Sequence, residues 1–67
     1  MIEVQINGRQ AAVANGSTVA SLVDGVGRDR RGIAVAVNET VVLRGSWETT
    51  RLFAGDRVEI LTAAQGG

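Results

Sequence analysis

The sequence predicts an α+β domain in which a mixed five-stranded sheet carries one helix across one face. Three observations predict it. Apolar residues alternate with polar or small ones in IEVQI, IAVAV and DRVEIL, the period-two signature of half-buried strands. One segment, TVASLVDGVG, instead spaces Val19, Leu22, Val23 and Val26 at i, i+3, i+4 and i+7, a single stripe of an amphipathic helix. Turn residues separate the runs, with Asn7-Gly8 supplying the pair that tolerates positive φ in a tight hairpin.

The elements follow in chain order. In the first strand Ile2, Val4 and Ile6 share the buried face and Glu3 and Gln5 the other. After the turn, QAAVA forms a second strand anchored by Val13, so the chain opens on a β-hairpin. Asn15-Gly16 ends it, and Ser17 or Thr18 caps the helix that follows. Gly25 and Gly27 stop that helix after about 8 to 10 residues, a length that depends on tertiary packing for stability. In the third strand Ile33, Val35 and Val37 point one way and Ala34 and Ala36 the other; Asn38-Glu39 then turns the chain into a fourth strand from Val41 to Leu43. The segment GSWETTRLFAGD is irregular, with room for a 3₁₀ turn, a reversal at Gly55-Asp56, and Trp47, Leu52 and Phe53 as apolar anchors. The fifth strand, DRVEILT, puts Val58 and Ile60 into the core and turns Arg57, Glu59 and Leu61 outward. Burying the helix stripe against one sheet face gives a two-layer domain over residues 1–62, followed by a flexible tail over residues 63–67.

Composition narrows the function classes. A chain of 67 residues makes one domain and has no room for a deep cleft. Its hydrophobic fraction of 45% and charged fraction of 21% are those of a globular protein. Seven Arg balance seven Asp plus Glu, so no positive excess is left for nucleic acid, and the cluster Arg28, Arg30 and Arg31 reads as a solvated loop. No run approaches the roughly 20 apolar residues of a membrane span, and the opening MIEVQING lacks the pattern of a signal peptide, which predicts a cytoplasmic protein. Cys, His, Lys and Tyr are all absent. The usual thiol nucleophiles, general bases and Schiff-base amines are therefore missing, and neither a disulfide nor a thiolate metal site can form. The chain is not expected to be an enzyme, and it is expected to bind no metal or cofactor itself.

The last residues, Ala63 to Gly67, read AAQGG. Two consecutive glycines at a given end arise by chance about 0.5% of the time, given a glycine frequency of roughly 7%. Without a Cβ, Gly66 and Gly67 can enter a narrow channel and let a partner backbone approach closely. Five extended residues reach about 16–18 Å, enough to carry the terminal carboxylate into another protein's active site.

This order of elements, closed by Gly-Gly, resembles the β-grasp fold of ubiquitin-like proteins. More narrowly, AVAVNETVVLRGSWETTRLFAGDRVEILTAAQGG resembles the sulfur carriers of thiamine biosynthesis, the ThiS family. The resemblance rests on Asn38, Val42, Arg44 and Trp47, on Leu52, Gly55, Asp56, Val58, Glu59 and Ile60, and on Ala64, Gly66 and Gly67; it extends over essentially the whole chain. One departure is Leu43, where the family commonly has proline.

The resemblance implies a carrier that is a substrate of other enzymes. An E1-like adenylyltransferase of the ThiF type, using ATP and Mg²⁺, would adenylate the Gly67 carboxylate, and a persulfide-delivering desulfurase system would convert it to a thiocarboxylate. A thiazole synthase of the ThiG type would then take the sulfur. Gly66, Gln65 and Ala64 would thread the tail into these partners. The residues expected to dock the domain are Leu61, Ala34 and Ala36, a low apolar spot at the base of the tail, with Arg57 at its rim. Two other readings fit the same residues: a carrier for molybdopterin synthesis or tRNA thiolation, and a β-grasp interaction module that carries no sulfur.

Overall fold

The computed structural model describes residues 1–25 and 32–62. Within them the strands are β1 (Ile2–Ile6), β2 (Arg9–Val13), β3 (Ile33–Val37), β4 (Thr40–Val42) and β5 (Arg57–Thr62), with one helix, α1 (Val19–Gly25), and a 3₁₀ turn at Arg44–Ser46. They form one sheet in the order β2-β1-β5-β3-β4. β1 and β5 pair in parallel, and every other neighbour is antiparallel. The sheet is therefore mixed, as the sequence predicts, with the first and last strands side by side at its centre.

Both hairpins turn on asparagine. Asn7 and Gly8 have φ of 53° and 85°, and Asn38 and Glu39 have φ of 52° and 71°, so each pair makes the two-residue turn whose twist matches the flanking strands. Each asparagine also reaches across to β5. The Asn7 backbone N–H donates to Val58 O at 2.9 Å, its Nδ2 donates to Ile60 O at 3.1 Å, and Ile60 N–H donates to its Oδ1 at 2.9 Å. β1 leaves the sheet at Asn7, and the carboxamide takes the place of the next strand residue. At the other end of β5, Arg57 N–H donates to Asn38 Oδ1 and Asn38 Nδ2 donates to Asp56 Oδ1, both at 3.0 Å.

The helix is short, and its first turn is satisfied from outside. Val19 N–H donates to Thr50 O and Ala20 N–H to Trp47 O, while Ser21 N–H donates to Thr18 Oγ1. Thr18 N–H donates in return to Ser21 Oγ, so Thr18 is the cap, in a reciprocal arrangement. Val19, Ala20 and Val23 are buried against the sheet, joined by Ile33, Val35, Trp47, Leu52, Val58 and Ile60. Val26, assigned to the same stripe, and Gly27, assigned as a stop, lie outside the described residues.

Of the three anchors expected in the irregular segment, two hold and one fails. Trp47 is 1% exposed, and its Nε1 donates to Val42 O at 2.9 Å, which settles it as a core residue with its polar atom satisfied. Leu52 is buried as well. Phe53 is not an anchor: it is 64% exposed. Its backbone is held by a turn in which Asp56 N–H donates to Phe53 O and Phe53 N–H to Asp56 Oδ2. Extended chain alternates its side chains, and with Leu52 taken inward Phe53 has to point out.

The fourth strand covers Thr40–Val42, one residue earlier than expected, and Leu43 begins the 3₁₀ turn with φ −66° and ψ 149°. That φ is proline's own. Because the two-residue turn makes Val37↔Thr40 and then Val35↔Val42 the hydrogen-bonded pairs, the Leu43 N–H faces the open edge and has no backbone acceptor among the described residues. Leu43→Pro is therefore expected to stabilise the domain by about 0.4–1 kcal/mol through the unfolded chain, read as a higher urea midpoint at unchanged m.

Candidate functional site: the outer sheet face beside the tail

β5 runs toward the tail, ending at Thr62. Its side chains split as expected, with Val58 and Ile60 buried and Arg57, Glu59 and Leu61 exposed. The β3–β5 register sets Ala34 opposite Leu61 and Ala36 opposite Glu59. Ala34 is exposed and Ala36 half-buried. The structure thus brings Leu61, Ala34 and Ala36 onto one outer face, with Arg57 on the same face at the start of β5, four residues before Leu61.

Two further residues join this face that sequence reasoning left out. Val41 lies opposite Ala36 across the β3–β4 pairing, and Leu43 follows on the same side as Val41. Leu61, Val41 and Leu43 are 63%, 69% and 72% exposed. Leu61 thus stands beside Ala34 on the β5 side and Val41 beside Ala36 on the β4 side, making a shallow, largely apolar trough across β5, β3 and β4 that Glu59 borders next to Ala36. Single exposed hydrophobes are ordinary, but a contiguous set is the usual mark of an interaction surface. A readable signal was present: if Val42 faces the core, Val41 and Leu43 must face away.

The rim is polar. Arg57 lies 4.0 Å from Glu39 with both side chains largely exposed, an ion pair that contributes little in water and leaves both groups available to a partner. Among the described residues no group of three or more potential ligands could hold a metal ion. None of their helices is long and apolar enough to cross a membrane. Arg28, Arg30 and Arg31, and the tail residues Ala64, Gln65, Gly66 and Gly67, lie outside the described residues.

The family model of the ThiS family matches residues 4–67. The chain belongs to the ThiS family. Among solved structures, the crystal structure of the thiamine biosynthesis protein ThiS from Geobacter metallireducens superimposes with a TM-score of 0.82 at 26% identity, covering 98% of this chain and 100% of that one. The solution structure of a thiamine biosynthesis protein from the same organism also gives a TM-score of 0.82 at 26% identity, covering 98% of this chain and 88% of that one. No curated protein sequence matches the chain. The five-stranded mixed sheet crossed by one helix is the ubiquitin-like β-grasp fold of this family.

Proposed function

We propose that this ThiS-family chain is a sulfur carrier for thiamine biosynthesis, and that the Gly67 carboxylate is the group that carries the sulfur. The observation that supports this reading most strongly is the family match over residues 4–67, which includes Gly66 and Gly67. The chemistry follows from the poor electrophilicity of a carboxylate. In a partner's active site a carboxylate oxygen of Gly67 attacks the α-phosphorus of Mg²⁺-bound ATP, pyrophosphate leaves, and the product is an acyl-adenylate. A persulfide then attacks the acyl carbon through its terminal sulfur and AMP leaves. Cleavage of the S–S bond of that acyl disulfide by a thiol releases the thiocarboxylate, which donates its sulfur to the thiazole ring.

Every step uses a partner's groups, which accords with a chain that has no Cys, His or Lys. The domain contributes a grip. Leu61, Ala34 and Ala36, flanked by Val41 and Leu43 and rimmed by Arg57, form the docking face for the ThiF-type activating enzyme and the ThiG-type synthase, and the small alanines let a partner surface come close. The tail then delivers Gly67 through Ala64, Gln65 and Gly66.

The test is the intact mass of the chain after incubation with ATP, Mg²⁺, its ThiF-type enzyme and a persulfide source. A gain of about 16 Da, the difference between sulfur and oxygen, is expected, and it should be lost when Gly67 is removed. An unchanged mass, with the enzyme shown to be active on another carrier, would reject the sulfur-carrier reading.

A further inference from the structure

We propose that Asn15 is a modification site, at which the folded chain loses ammonia from a side-chain amide and gains a carboxylate. The inference does not depend on the sulfur-carrier reading.

The chain has three asparagines, and two of them, Asn7 and Asn15, precede glycine. Deamidation of an asparagine is an intramolecular reaction. The nitrogen of the next peptide gives up its proton and attacks Cγ, the side-chain nitrogen takes a proton and leaves as ammonia, and a five-membered succinimide closes. Water then adds to one of the two ring carbonyls and breaks its bond to nitrogen, which leaves aspartate or isoaspartate. Water is the only co-reactant, and the net exchange of NH₂ for OH adds about 1 Da. A following glycine favours the attack, because no Cβ hinders the nitrogen. By sequence Asn7 and Asn15 are therefore equal, and Asn38, followed by Glu39, is slower.

The structure separates the two. Attack requires the carboxamide to swing over the following nitrogen while that peptide rotates. Asn7 is held against both motions. Its Nδ2 donates to Ile60 O at 3.1 Å and its Oδ1 accepts from Ile60 N–H at 2.9 Å. Its own N–H donates to Val58 O, and the peptide after it is the centre of a two-residue turn between the paired residues Ile6 and Arg9. Asn38 is held likewise, its carboxamide bonded to Asp56 Oδ1 and to the Arg57 N–H. Reaction at Asn7 thus waits on a local opening of β1 from β5.

Asn15 needs no such opening. It is exposed, and among the described residues neither its side chain nor the Gly16 N–H makes a hydrogen bond. The pair sits at the centre of a turn closed by its flanking residues, where Ser17 N–H donates to Ala14 O at 3.0 Å and Ser17 Oγ to the same oxygen at 2.6 Å. Neither bond involves residue 15 or 16, so the central peptide can rotate while the turn stays closed. Gly16 has φ of 89°, and the nearest atom to where its Cβ would stand, beyond its chain neighbours, is Arg51 Nη2 at 3.7 Å. The site is open, and the cation beside it favours the carboxylate that forms. One new negative charge on a formally neutral chain gives an acidic second form of the protein.

The test holds the full, folded chain in mildly alkaline buffer, which speeds the attack by ionising the amide, and follows intact mass with time. Lysine is absent, so tryptic cleavage falls after arginine alone and puts each asparagine on its own peptide, 1–9, 10–28 and 32–44. A gain of about 1 Da is expected in 10–28 and, on fragmentation, at residue 15. The two bonds to Ile60 that must break first should make the gain in 1–9 slower by about tenfold or more. In concentrated urea those bonds are gone, and 1–9 should catch up with 10–28. Asn15→Gln should remove the fast gain, since its longer side chain would have to close a six-membered ring. Equal rates for 1–9 and 10–28 in the folded chain would overturn the proposal. So would a rate ratio that urea leaves unchanged, or no gain at residue 15 over the time in which the urea-unfolded chain converts.

Discussion

Trp47→Ala is expected to lower the stability of the domain by about 3–5 kcal/mol, the cost of emptying a large aromatic site in a core. A domain of 67 residues has roughly 3–10 kcal/mol in total, so much of the variant population should be unfolded at 25 °C. Three contributions converge on this residue, of which the first two go with the side chain and the third, a backbone bond, stays in the variant. Trp47 fills the core beneath the helix, among the largest of the fully buried side chains. Its indole N–H bonds to Val42 O and so ties the end of the 3₁₀ turn back to the end of β4. Its backbone C=O accepts the Ala20 N–H, one of the donors that the helix cannot satisfy internally. Trp47→Phe keeps most of the packing and loses the indole bond, and should cost about 1–2 kcal/mol. Urea unfolding followed by far-ultraviolet circular dichroism distinguishes the two variants, since tryptophan fluorescence is lost in both. A loss below 1 kcal/mol for Trp47→Ala would mean that the site collapses around the cavity and that the segment is held by its backbone bonds instead.

What the sequence made legible is what local periodicity encodes. The alternation in β1, β3 and β5 fixes which side chains face the core, the turn chemistry of Asn7-Gly8 fixes the first hairpin, and the stripe Val19, Leu22, Val23 fixes the inward face of the helix. Contacts between distant segments are not encoded that way. Nothing near Asn7 announces that its carboxamide will bond both backbone groups of Ile60, 53 residues away. Nor does any pattern within IEVQI say that it will pair in parallel with the last strand. Phe53 misled for a related reason. Its apolar character argues for burial, yet a single inward slot exists there and Leu52 occupies it. The outer face was half read, because Ala34, Ala36 and Leu61 follow from strand parity alone, whereas Val41 and Leu43 require the β3–β4 register that sets Val41 against Ala36. Proposed roles for Gly66 and Gly67 owe nothing to the fold and rest on the family match and on the chemistry of a carboxylate.

Gly66→Val should abolish thiocarboxylate formation and leave the urea midpoint where it was. Among the described residues the last buried hydrophobic side chain is Ile60, and the unchanged urea midpoint tests the expectation that position 66 contributes nothing to folding. Within a partner's channel the same branch is decisive: a β-branched residue resists the dihedrals that glycine adopts freely, and displacing a reacting carboxylate by about 1 Å costs roughly 100-fold in rate. Leu61→Arg should fail differently. It removes an apolar contact from the docking face and buries a charge against a partner, about 2 kcal/mol for a residue at the centre of an interface, or roughly 30-fold in KM. A change in KM at constant kcat marks binding used equally in ground and transition states, whereas a fall in kcat marks the positioning of the reacting group. Kinetics of pyrophosphate release with the ThiF-type enzyme measure both. If Gly66→Val supports adenylation at the normal rate, the tail is not threaded and glycine is dispensable at position 66. If Leu61→Arg leaves KM unchanged, the trough across β5, β3 and β4 is not where the activating enzyme holds the domain, and the tail alone must account for recognition.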